Sequence, residues 1–495
     1  MILAPPDPER LAKKSAIVKA LRGVLPGSAV LHLPGELVPY ECDGLSGYRN
    51  TPMIVVLPRD TAEVSEVLRV LHALNVPVVP WGAGTGLSGG ALALSDGVTV
   101  SLARMNRILE VDLDNRCMVV QPGVTNLAIT QAVQAQGFYY APDPSSQIAC
   151  SIGGNVAENS GGVHCLKYGM TTNNLLGLEV VLADGEVVRV GGKGLDCGGF
   201  DLLGVLTGSE GLLGIVTEVT VRLLRKPEMA RAVLAVFPSV ESSGQAVADV
   251  ISAGLLPAGM EIMDKLAIEA AEAFAHAGYP VGAEAILLVE LDGPESEVNH
   301  QIEQVATLLR RAEATEIRIS QSEEERLLYW AGRKAAFPAV GRLSPDYYVC
   351  DGTIPRSALP HVLGQIRVLS ERYGLRVANV FHAGDGNLHP LILYDSNVPG
   401  EFDKAENFGM DILRLCVDHG GVLTGEHGVG VEKRDLMNYQ FQQADLDAMQ
   451  RVKCSFDIAQ LLNPGKVLPS PRGCGELGPS IKSAGGHRHP GIERV

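Results

Sequence analysis

The sequence predicts an α+β protein with two domains. Its 495 residues exceed what one hydrophobic core usually organises. The first half mixes strand and helix patterns with two stretches crowded with glycine. After residue 227, short strands alternate with long helices, a pattern typical of an antiparallel sheet with helices packed on one side. We therefore expect one domain in each half of the chain.

The elements of the first half follow from local patterns. Apolar residues at helical spacing predict an amphipathic helix from Asp60 to Asn75, and a strand follows at residues 76–80. A second helix is predicted at residues 127–136. Asp-Gly and glycine-rich turns separate the remaining strands, which are predicted at residues 98–102, 117–120, 178–182 and 187–190.

The second half is richer in long helices. Helices are predicted at residues 297–312 and 402–419, and strands at residues 285–291 and 377–381. From residue 471 to the end, Gly, Pro, Ser and His dominate without apolar periodicity, so a disordered tail is expected there.

Composition excludes several classes of function. The net charge of −16 disfavours nucleic-acid binding, because phosphate contacts require clustered Lys and Arg. The nine cysteines form no C-x-x-C pair, so we expect reduced thiols and no iron–sulfur cluster. No segment approaches the about twenty apolar residues of a membrane span, and prolines interrupt the start where a signal peptide is apolar. A cytoplasmic protein is expected, with any membrane contact peripheral.

The first glycine-rich stretch, residues 82–90, contains G-x-G-x-x-G from Gly84 to Gly89. In a nicotinamide-binding unit a helix would follow, but here an Asp-Gly turn and a strand follow, so we reject that cofactor. Successive backbone N–H groups in a tight turn can still bind anionic oxygens without any lysine. The alternative is a glycine-rich turn without a ligand.

The second stretch, residues 142–162, is equally rich in Gly, Ser and Asn. Ordering such a segment is costly, because glycine loses the most backbone entropy on folding. We expect it where the backbone approaches a bulky ligand closely.

Two further segments carry groups that bind metals. His382 and His389 flank a Gly-Asp-Gly turn, and a hairpin there would bring both imidazoles together. Glu426 and His427 are adjacent on a glycine-flanked loop. Two histidines and one carboxylate suit a catalytic divalent metal, with Zn²⁺ expected and Mn²⁺ or Fe²⁺ as alternatives. The competing interpretation is ordinary turn histidines with satisfied hydrogen bonds.

The segments VVPWGAGTGLSGG, PDPSSQ, SIGGNVAENSGG and GSEGLLGIVTEV resemble the FAD-binding domain of the vanillyl-alcohol oxidase superfamily. The resemblance implies FAD, and the absence of His and Cys from residues 82–90 predicts that it is bound non-covalently. The cofactor-binding residues that it implies are Gly82, Ala83, Gly84, Thr85, Gly86, Leu87, Ser88, Pro142, Ser145, Ser146, Gly153, Gly154, Asn155, Asn159, Gly162 and Ile215.

HAGDGNLH and GEHGVG are similar to the C-terminal domain of FAD-linked 2-hydroxy-acid oxidases and D-lactate dehydrogenases, a ferredoxin-like antiparallel cap that holds the substrate site. This resemblance implies the following roles. The metal ligands are His382, His389 and Glu426; His427 is the general base, Asn387 positions the substrate, and Arg333 binds its carboxylate.

Within this family, the segment AGRKAAFPAVGRLSPDYYVCDGTIP resembles glycolate oxidase catalytic subunits. Val349 stands where the related 2-hydroxyglutarate enzymes have a lysine, which favours glycolate or D-lactate. The resemblance implies proton abstraction by His427, hydride transfer to flavin N5, and two partners, a second flavoprotein subunit and an iron–sulfur subunit. The alternatives are a D-lactate dehydrogenase, a flavin-free metal hydrolase and a noncatalytic subunit.

The resemblance covers the chain from Arg49 to Pro469. The division that it implies is an N-terminal helical segment (1–48), an FAD-binding domain (49–227), a substrate and metal cap domain (228–425), a C-terminal segment returning to the FAD-binding domain (426–469) and a disordered tail (470–495).

Overall fold

The structure is a computed structural model that describes residues 3–194, 198–469 and Cys474. It confirms the predicted α+β class. Apart from Cys474, the tail expected at residues 470–495 lies outside the described residues.

The strands are β1 (Val30–Leu31), β2 (Ile54–Val56), β3 (Val78–Trp81), β4 (Val98–Ser101), β5 (Ile108–Asp112), β6 (Cys117–Val120), β7 (Phe138–Tyr139), β8 (Leu175–Val181), β9 (Val187–Gly191), β10 (Ile215–Arg222), β11 (Leu224–Arg225), β12 (Met229–Phe237), β13 (Gly259–Asp264), β14 (Ala285–Gly293), β15 (Glu316–Ile319), β16 (Asp346–Val349), β17 (Gly352–Thr353), β18 (Val377–His382) and β19 (Asn387–Tyr394).

The helices are α1 (Pro8–Ala12), α2 (Lys14–Leu21), α3 (Pro34–Leu37), α4 (Thr61–Ala73), α5 (Asn126–Val133), α6 (Ile152–Glu158), α7 (Cys165–Tyr168), α8 (Leu202–Leu206), α9 (Val240–Ser252), α10 (Lys265–Ala275), α11 (Glu295–Arg311), α12 (Glu323–Val340), α13 (Leu359–Tyr373), α14 (Glu401–Asp418), α15 (Met437–Gln440) and α16 (Gln443–Phe456).

Two sheets form most of the first half. The first has the order β1-β2-β4-β3, and β4 runs parallel to both β2 and β3. Its core is shared with α2 and α4, whose apolar faces are buried against it. The second sheet is antiparallel, with the order β5-β6-β10-β8-β9. The loop between β3 and β4 is the first glycine-rich stretch, so the parallel strands β3 and β4 fix both of its ends.

The second half is built on an eight-stranded sheet, here called the cap sheet, in which β15-β12-β14-β13-β18-β19-β16 are neighbours and β17 pairs with β19. The sequence predicted helices on one side of this sheet, and that detail is wrong. Helices α9, α11, α13 and α14 cover one face, whereas α10 and α12 cover the other. Strand β12 explains this, because consecutive residues such as Val233 and Leu234 are both apolar and are buried on opposite faces.

The C-terminal segment returns to the first half. Val78 on β3 accepts a hydrogen bond from Asn463 N and donates to Leu461 O, both at 2.7 Å. The buried ammonium of Lys466 donates to the carbonyl oxygens of Gly90 (2.8 Å) and Leu92 (2.6 Å). This segment therefore braces the end of the first glycine-rich loop.

One cysteine pair departs from the expected thiol state. Cys454 on α16 and Cys474 form a disulfide, with their Cα atoms 5.7 Å apart. The expectation of reduced thiols is therefore wrong for this pair. The physical reason is proximity in the fold, because cysteines 20 residues apart in sequence lie within the Cα separation that a disulfide requires. Cys197 lies outside the described residues, and the other six cysteines are free.

In the part of the chain that the structure describes, no helix is long and apolar enough to cross a lipid bilayer.

The two halves meet at a partly buried group of charges around His164. Its Nδ1 lies 2.9 Å from Asp143 in the second glycine-rich stretch, and its Nε2 lies 3.2 Å from Glu290 on β14. Arg326 on α12 completes the group through Glu290 at 2.6 Å. Burial alone would lower the pKa of His164, but Asp143 and Glu290 raise it well above its usual value. His164 thus joins the glycine-rich stretch to the cap sheet as a cation.

This contact predicts a pH-dependent contribution to stability. Because the folded pKa of His164 exceeds the unfolded value of about 6.5, the stabilisation is complete below that pH and is lost as pH rises through the folded pKa. His164→Gln should therefore lower the thermal unfolding midpoint more at about pH 6 than at about pH 8.5. Glu290 stays ionised across this window, because His164 and Arg326 outweigh burial and hold its pKa at about 2.

The matched control is His300→Gln, at an exposed position on α11. Its midpoint should follow the wild type at both pH values. An effect of His164→Gln that does not change with pH would contradict the cationic contact.

Candidate active site

A cavity of about 530 Å³ lies between the glycine-rich stretches and the cap sheet, within the size range of cofactor pockets. Most of the predicted cofactor and metal residues line it. They are Gly82, Ala83, Gly84, Thr85, Gly86, Leu87, Ser145, Ser146, Gly153, Gly154, Asn155, Ile215, His382, His389, Glu426 and His427. The other predicted residues, all within the described ranges, are not part of its lining: Ser88, Pro142, Asn159, Gly162, Arg333 and Asn387.

The first glycine-rich loop has the predicted form. It leads from β3 to β4 without a helix in between, as the rejection of the nicotinamide unit requires. Gly84 has a φ of +70°, and a Cβ there would lie 2.5 Å from the Trp81 ring. Ser88 O accepts hydrogen bonds from the backbone N–H groups of Val431 and Glu432, both at 3.0 Å. Glycine therefore permits the conformation of the loop, and hydrogen bonds from the C-terminal segment hold the loop in place.

The second glycine-rich stretch differs from the expected loop, because it contains the short helix α6. Ser151 caps this helix by accepting a hydrogen bond from Gly154 N. A Cβ at Gly153 would lie 2.6 Å from a side-chain carbon of Pro122, so the glycine permits close packing there. The amino end of α6 borders the cavity, since Ser151, Gly153 and Gly154 line it.

The two predicted metal-binding histidines come together on one hairpin. Strands β18 and β19 pair His382 with Asn387 and Val380 with His389. Because alternate residues of a strand share a face, His382, Asn387 and His389 point to the same side of the sheet. The two imidazole rings are 4.9 Å apart and nearly perpendicular.

Glu426 completes this group. Its Oε1 lies 3.2 Å from His382 Nε2 and 2.9 Å from His389 Nε2, and its Oε2 accepts a hydrogen bond from Gly161 N at 3.0 Å. Burial alone would raise the pKa of Glu426, but its hydrogen bonds to both histidines lower it well below its usual value. Two imidazole nitrogens and one carboxylate oxygen within 4.8 Å of one another are a donor set that fits a divalent metal.

A second group of potential ligands, Asp351, His389 and His427, also lies within 4.8 Å. Asp351 is fully buried, and its carboxylate accepts hydrogen bonds from the backbone N–H groups of Gly425, Glu426 and His427 and from Lys433 Nζ. These donors occupy the oxygens that a metal would need. We therefore assign Asp351 to holding the loop that presents Glu426 and His427.

His427 lies beside this candidate metal-binding group and follows Glu426 on the same loop. Its ring stacks on His389 at 4.9 Å between centroids, and its Nδ1 has no hydrogen-bond partner among the described residues. Burial lowers the pKa of His427 to about 4. The imidazole is therefore neutral near pH 7, the form in which one ring nitrogen keeps a free lone pair.

Arg333 and Asn387 lie just outside the cavity lining. Arg333 on α12 is 1% exposed and pairs with the buried carboxylate of Glu261, with 2.6 Å between Nη2 and Oε2. Its Nη1 and the Oδ1 of Asn387 have no hydrogen-bond partners within the described residues. The adjacent Lys334 is exposed and lines the cavity itself. Helix α12 thus places the Arg333 guanidinium in the protein interior and the Lys334 ammonium at the cavity.

Sequence reasoning missed Glu261 and Asp351. Glu261 is a carboxylate inside β13 with apolar neighbours, Met260 and Ile262, on both sides, which is a signal for a buried partner. Asp351 lies in the two-residue connection between β16 and β17, and connecting segments often carry functional side chains. Neither signal identifies the cation or the loop that the carboxylate contacts.

Comparison with known proteins identifies the family of this chain. The sequence matches a family described as FAD linked oxidases, C-terminal domain, over residues 226–467, and one described as FAD binding domain over residues 52–191. The glycolate oxidase subunit GlcD of Escherichia coli (strain K12) is 57% identical, covering 99% of this chain and 97% of that protein. This chain belongs to the FAD-linked oxidase family. The predicted membership, the FAD-binding domain and the oxidoreductase class are thereby confirmed.

Other family members are more distant. The glycolate oxidase subunit GlcD of Bacillus subtilis (strain 168) is 39% identical, covering 88% of this chain and 92% of that protein. A D-lactate dehydrogenase of Anaerostipes hadrus is 33% identical, with 84% and 89% covered. The family therefore includes relatives named for both substrates.

The fold also matches a solved structure of p-cresol methylhydroxylase with substrate bound. The TM-score is 0.78 at 17% identity, and the match covers 93% of this chain and 97% of that protein. At this identity the likeness shows the fold alone, and it confirms the predicted architecture.

The Asp351 contacts predict a large loss of stability on mutation. Asp351→Asn removes the charge that pairs with the buried Lys433 ammonium at 2.9 Å. Breaking a buried pair costs about 3–5 kcal/mol, and we expect the lower end because Glu432 stays 3.8 Å from Lys433. Chemical denaturation with flavin and tryptophan fluorescence as probes measures the loss.

The control is the charge-balanced double variant Asp351→Asn/Lys433→Met. Because it removes both charges, it should recover part of the lost stability. If Asp351→Asn alone is as stable as the wild type, the assigned role is wrong.

Proposed function

We propose that this protein oxidises glycolate to glyoxylate as an FAD-dependent dehydrogenase, with a divalent metal in the substrate site. The observation that carries the proposal is the convergence of His382, His389, Glu426 and His427 on the cavity that the glycine-rich loops also line. The identity to the two glycolate oxidase subunits supports glycolate as the substrate.

FAD supplies the hydride acceptor when bound, and a divalent metal lowers the pKa of a coordinated hydroxyl. The residues of the chain supply the remaining functions. His382, His389 and Glu426 would hold the metal, and Zn²⁺ is the ion that this donor set favours over Mn²⁺ or Fe²⁺. We propose that FAD is bound non-covalently.

His427 would remove the proton from the substrate 2-hydroxyl. It lines the cavity next to the metal-binding carboxylate, and its Nδ1 is free of hydrogen bonds in the described part of the chain. Arg333 and Asn387 would position the substrate, because Arg333 Nη1 and Asn387 Oδ1 are buried and lack partners there. A buried guanidinium suits carboxylate binding through two donors.

D-lactate is the second candidate substrate. The D-lactate dehydrogenase of Anaerostipes hadrus, at 33% identity, favours it, and the chemistry at C2 is the same. Val349 on β16, where the related 2-hydroxyglutarate enzymes carry a lysine, disfavours substrates with a second carboxylate.

We further propose that electrons leave through partner subunits, because the Escherichia coli relative is named as a subunit. A second flavoprotein subunit and an iron–sulfur subunit are the expected partners. In this arrangement the protein acts in the cytoplasm, with any membrane contact made through its partners.

Anaerobic flavin reduction is the test of the reaction. The purified chain with FAD and metal should show a flavin absorption band, and glycolate should bleach it faster than D-lactate does. Faster bleaching by D-lactate would transfer the assignment to the second candidate. A band that neither acid bleaches would refute oxidation of these substrates. Protein treated with a chelator should bleach slowly and recover when metal is restored.

Removing the proposed base should slow flavin reduction without releasing FAD. Loss of a general base typically costs about 10²–10⁴-fold in rate, so His427→Ala should reduce the stopped-flow rate with glycolate by that factor. His72→Ala, at an exposed position on α4, is the matched control and should behave as the wild type. Wild-type flavin reduction in the His427 variant would exclude this role.

A further inference from the structure

Glu261 is a buried carboxylate that faces the metal-binding group from a neighbouring strand. Strands β13 and β18 pair Glu261 directly with His382. Paired residues of adjacent strands project from the same face of a sheet, so the two side chains meet. Glu261 is 1% exposed, and a carboxylate this deep requires partners for both oxygens.

The partners of Glu261 come from two different elements. Its Oε1 lies 2.8 Å from His382 Nδ1, while its Oε2 accepts a hydrogen bond from Arg333 Nε at 2.8 Å. The carboxylate thus bridges two groups, the imidazole of a proposed metal ligand and the guanidinium of the proposed substrate-binding arginine.

The bond to Nδ1 determines which nitrogen of His382 is available. When Nδ1 donates to a carboxylate, Nε2 keeps its lone pair for a metal. Here Nε2 faces Glu426 at 3.2 Å, the side on which the other ligands lie. The same carboxylate also holds the Arg333 guanidinium, a rigid and planar donor, in one orientation.

We propose that Glu261 is a positioning residue that orients both His382 for the metal and Arg333 for the substrate carboxylate. The proposal rests on the proposed function and adds a group that touches neither metal nor substrate. The proposal predicts that metal affinity depends on Glu261 but not on the charge of Arg333.

A purely structural role is the alternative, since a buried ion pair can stabilise a fold without positioning anything. The two roles differ in what accompanies a loss of stability. Under the structural role, metal affinity falls whenever the pair is broken and recovers when both partners become apolar. Under the positioning role, metal affinity follows Glu261 alone.

The experiment measures Mn²⁺ affinity of the FAD-loaded full chain, from the electron paramagnetic resonance signal of free Mn²⁺, together with the thermal unfolding midpoint. Changing a partner that orients a metal-binding histidine typically weakens affinity 10–100-fold. Glu261→Gln keeps an acceptor oxygen and should weaken Mn²⁺ binding about 10-fold. The double variant Glu261→Met/Arg333→Met should weaken Mn²⁺ binding about 100-fold. Its thermal unfolding midpoint should nevertheless lie closer to that of the wild type than the midpoint of Arg333→Met does, because no buried charge is left unpaired.

Arg333→Met separates the two roles. It leaves Glu261 buried beside His382 without its guanidinium partner, so the midpoint should fall. Mn²⁺ affinity should nevertheless stay within about threefold of the wild type, because the Nδ1 contact remains. Asp264→Asn is the matched control. This buried carboxylate of β13 accepts hydrogen bonds from the backbone N–H groups of Ala267 and Asn379, and its replacement should leave Mn²⁺ affinity unchanged.

For the substrate half of the proposal, Glu261→Gln saturated with Mn²⁺ should require several-fold more glycolate for half-maximal flavin reduction. Unchanged Mn²⁺ affinity in both Glu261 variants, or a loss in Arg333→Met as large as in the double variant, would overturn the inference. Failure of the proposed function is distinguishable, because wild-type bleaching by glycolate tests it without any Glu261 variant.

Discussion

The Glu426 carboxylate is the contact on which the rest of the site depends. One oxygen faces His382 and His389 of the cap sheet, and the other accepts the backbone N–H of Gly161 from the second glycine-rich stretch. A single side chain therefore connects the candidate metal-binding group to the half of the chain that matches the FAD-binding domain. In the proposed reaction the substrate carbon must lie close to the flavin, and this contact joins the two regions of the chain that would hold them.

The loop that carries Glu426 is held from both domains by carboxylates. Asp351 accepts the backbone N–H groups of residues 425–427, and Glu210 accepts those of Val429 and Gly430 at 2.6 and 2.7 Å. Carboxylates that accept several backbone N–H bonds form strong, charge-assisted contacts. The loop is rich in glycine, so without these contacts its conformational entropy would work against a defined geometry.

The acidic composition of the chain is consistent with this design. A net charge of −16 would repel an anionic substrate if the charges acted together. Several carboxylates are instead buried and paired, as Glu261 is with Arg333 and Asp351 is with Lys433. Lys334 is left exposed at the cavity, where it supplies local positive charge. The electrostatic potential that acts on an anion in the cavity therefore depends on which nearby charges are paired, and less on the net charge of the protein.

Sequence alone predicted the α+β class, the helix-free glycine loop and the groups that converge on the candidate metal site. These features depend on residues close in the chain, such as Gly84 in its turn or His382 and His389 across a short hairpin. Sequence reasoning did not predict helices on both faces of the cap sheet, although the continuous apolar runs of β12 and β14 are the pattern of strands covered on both faces. It also did not predict the Cys454–Cys474 disulfide or α6 within the second glycine-rich stretch.

Tertiary structure alone decided which carboxylates belong to the site. Glu261 lies 121 residues from His382 and 72 from Arg333 in sequence, yet strand pairing and helix packing bring all three into contact. Asp351 is 75 residues from Glu426, and the backbone groups that it holds carry no side-chain signature. Sequence determined which chemical groups the site contains, because residue type and local spacing are written in the chain. Only the fold decided how those groups are oriented, because hydrogen bonds between distant segments depend on register and packing.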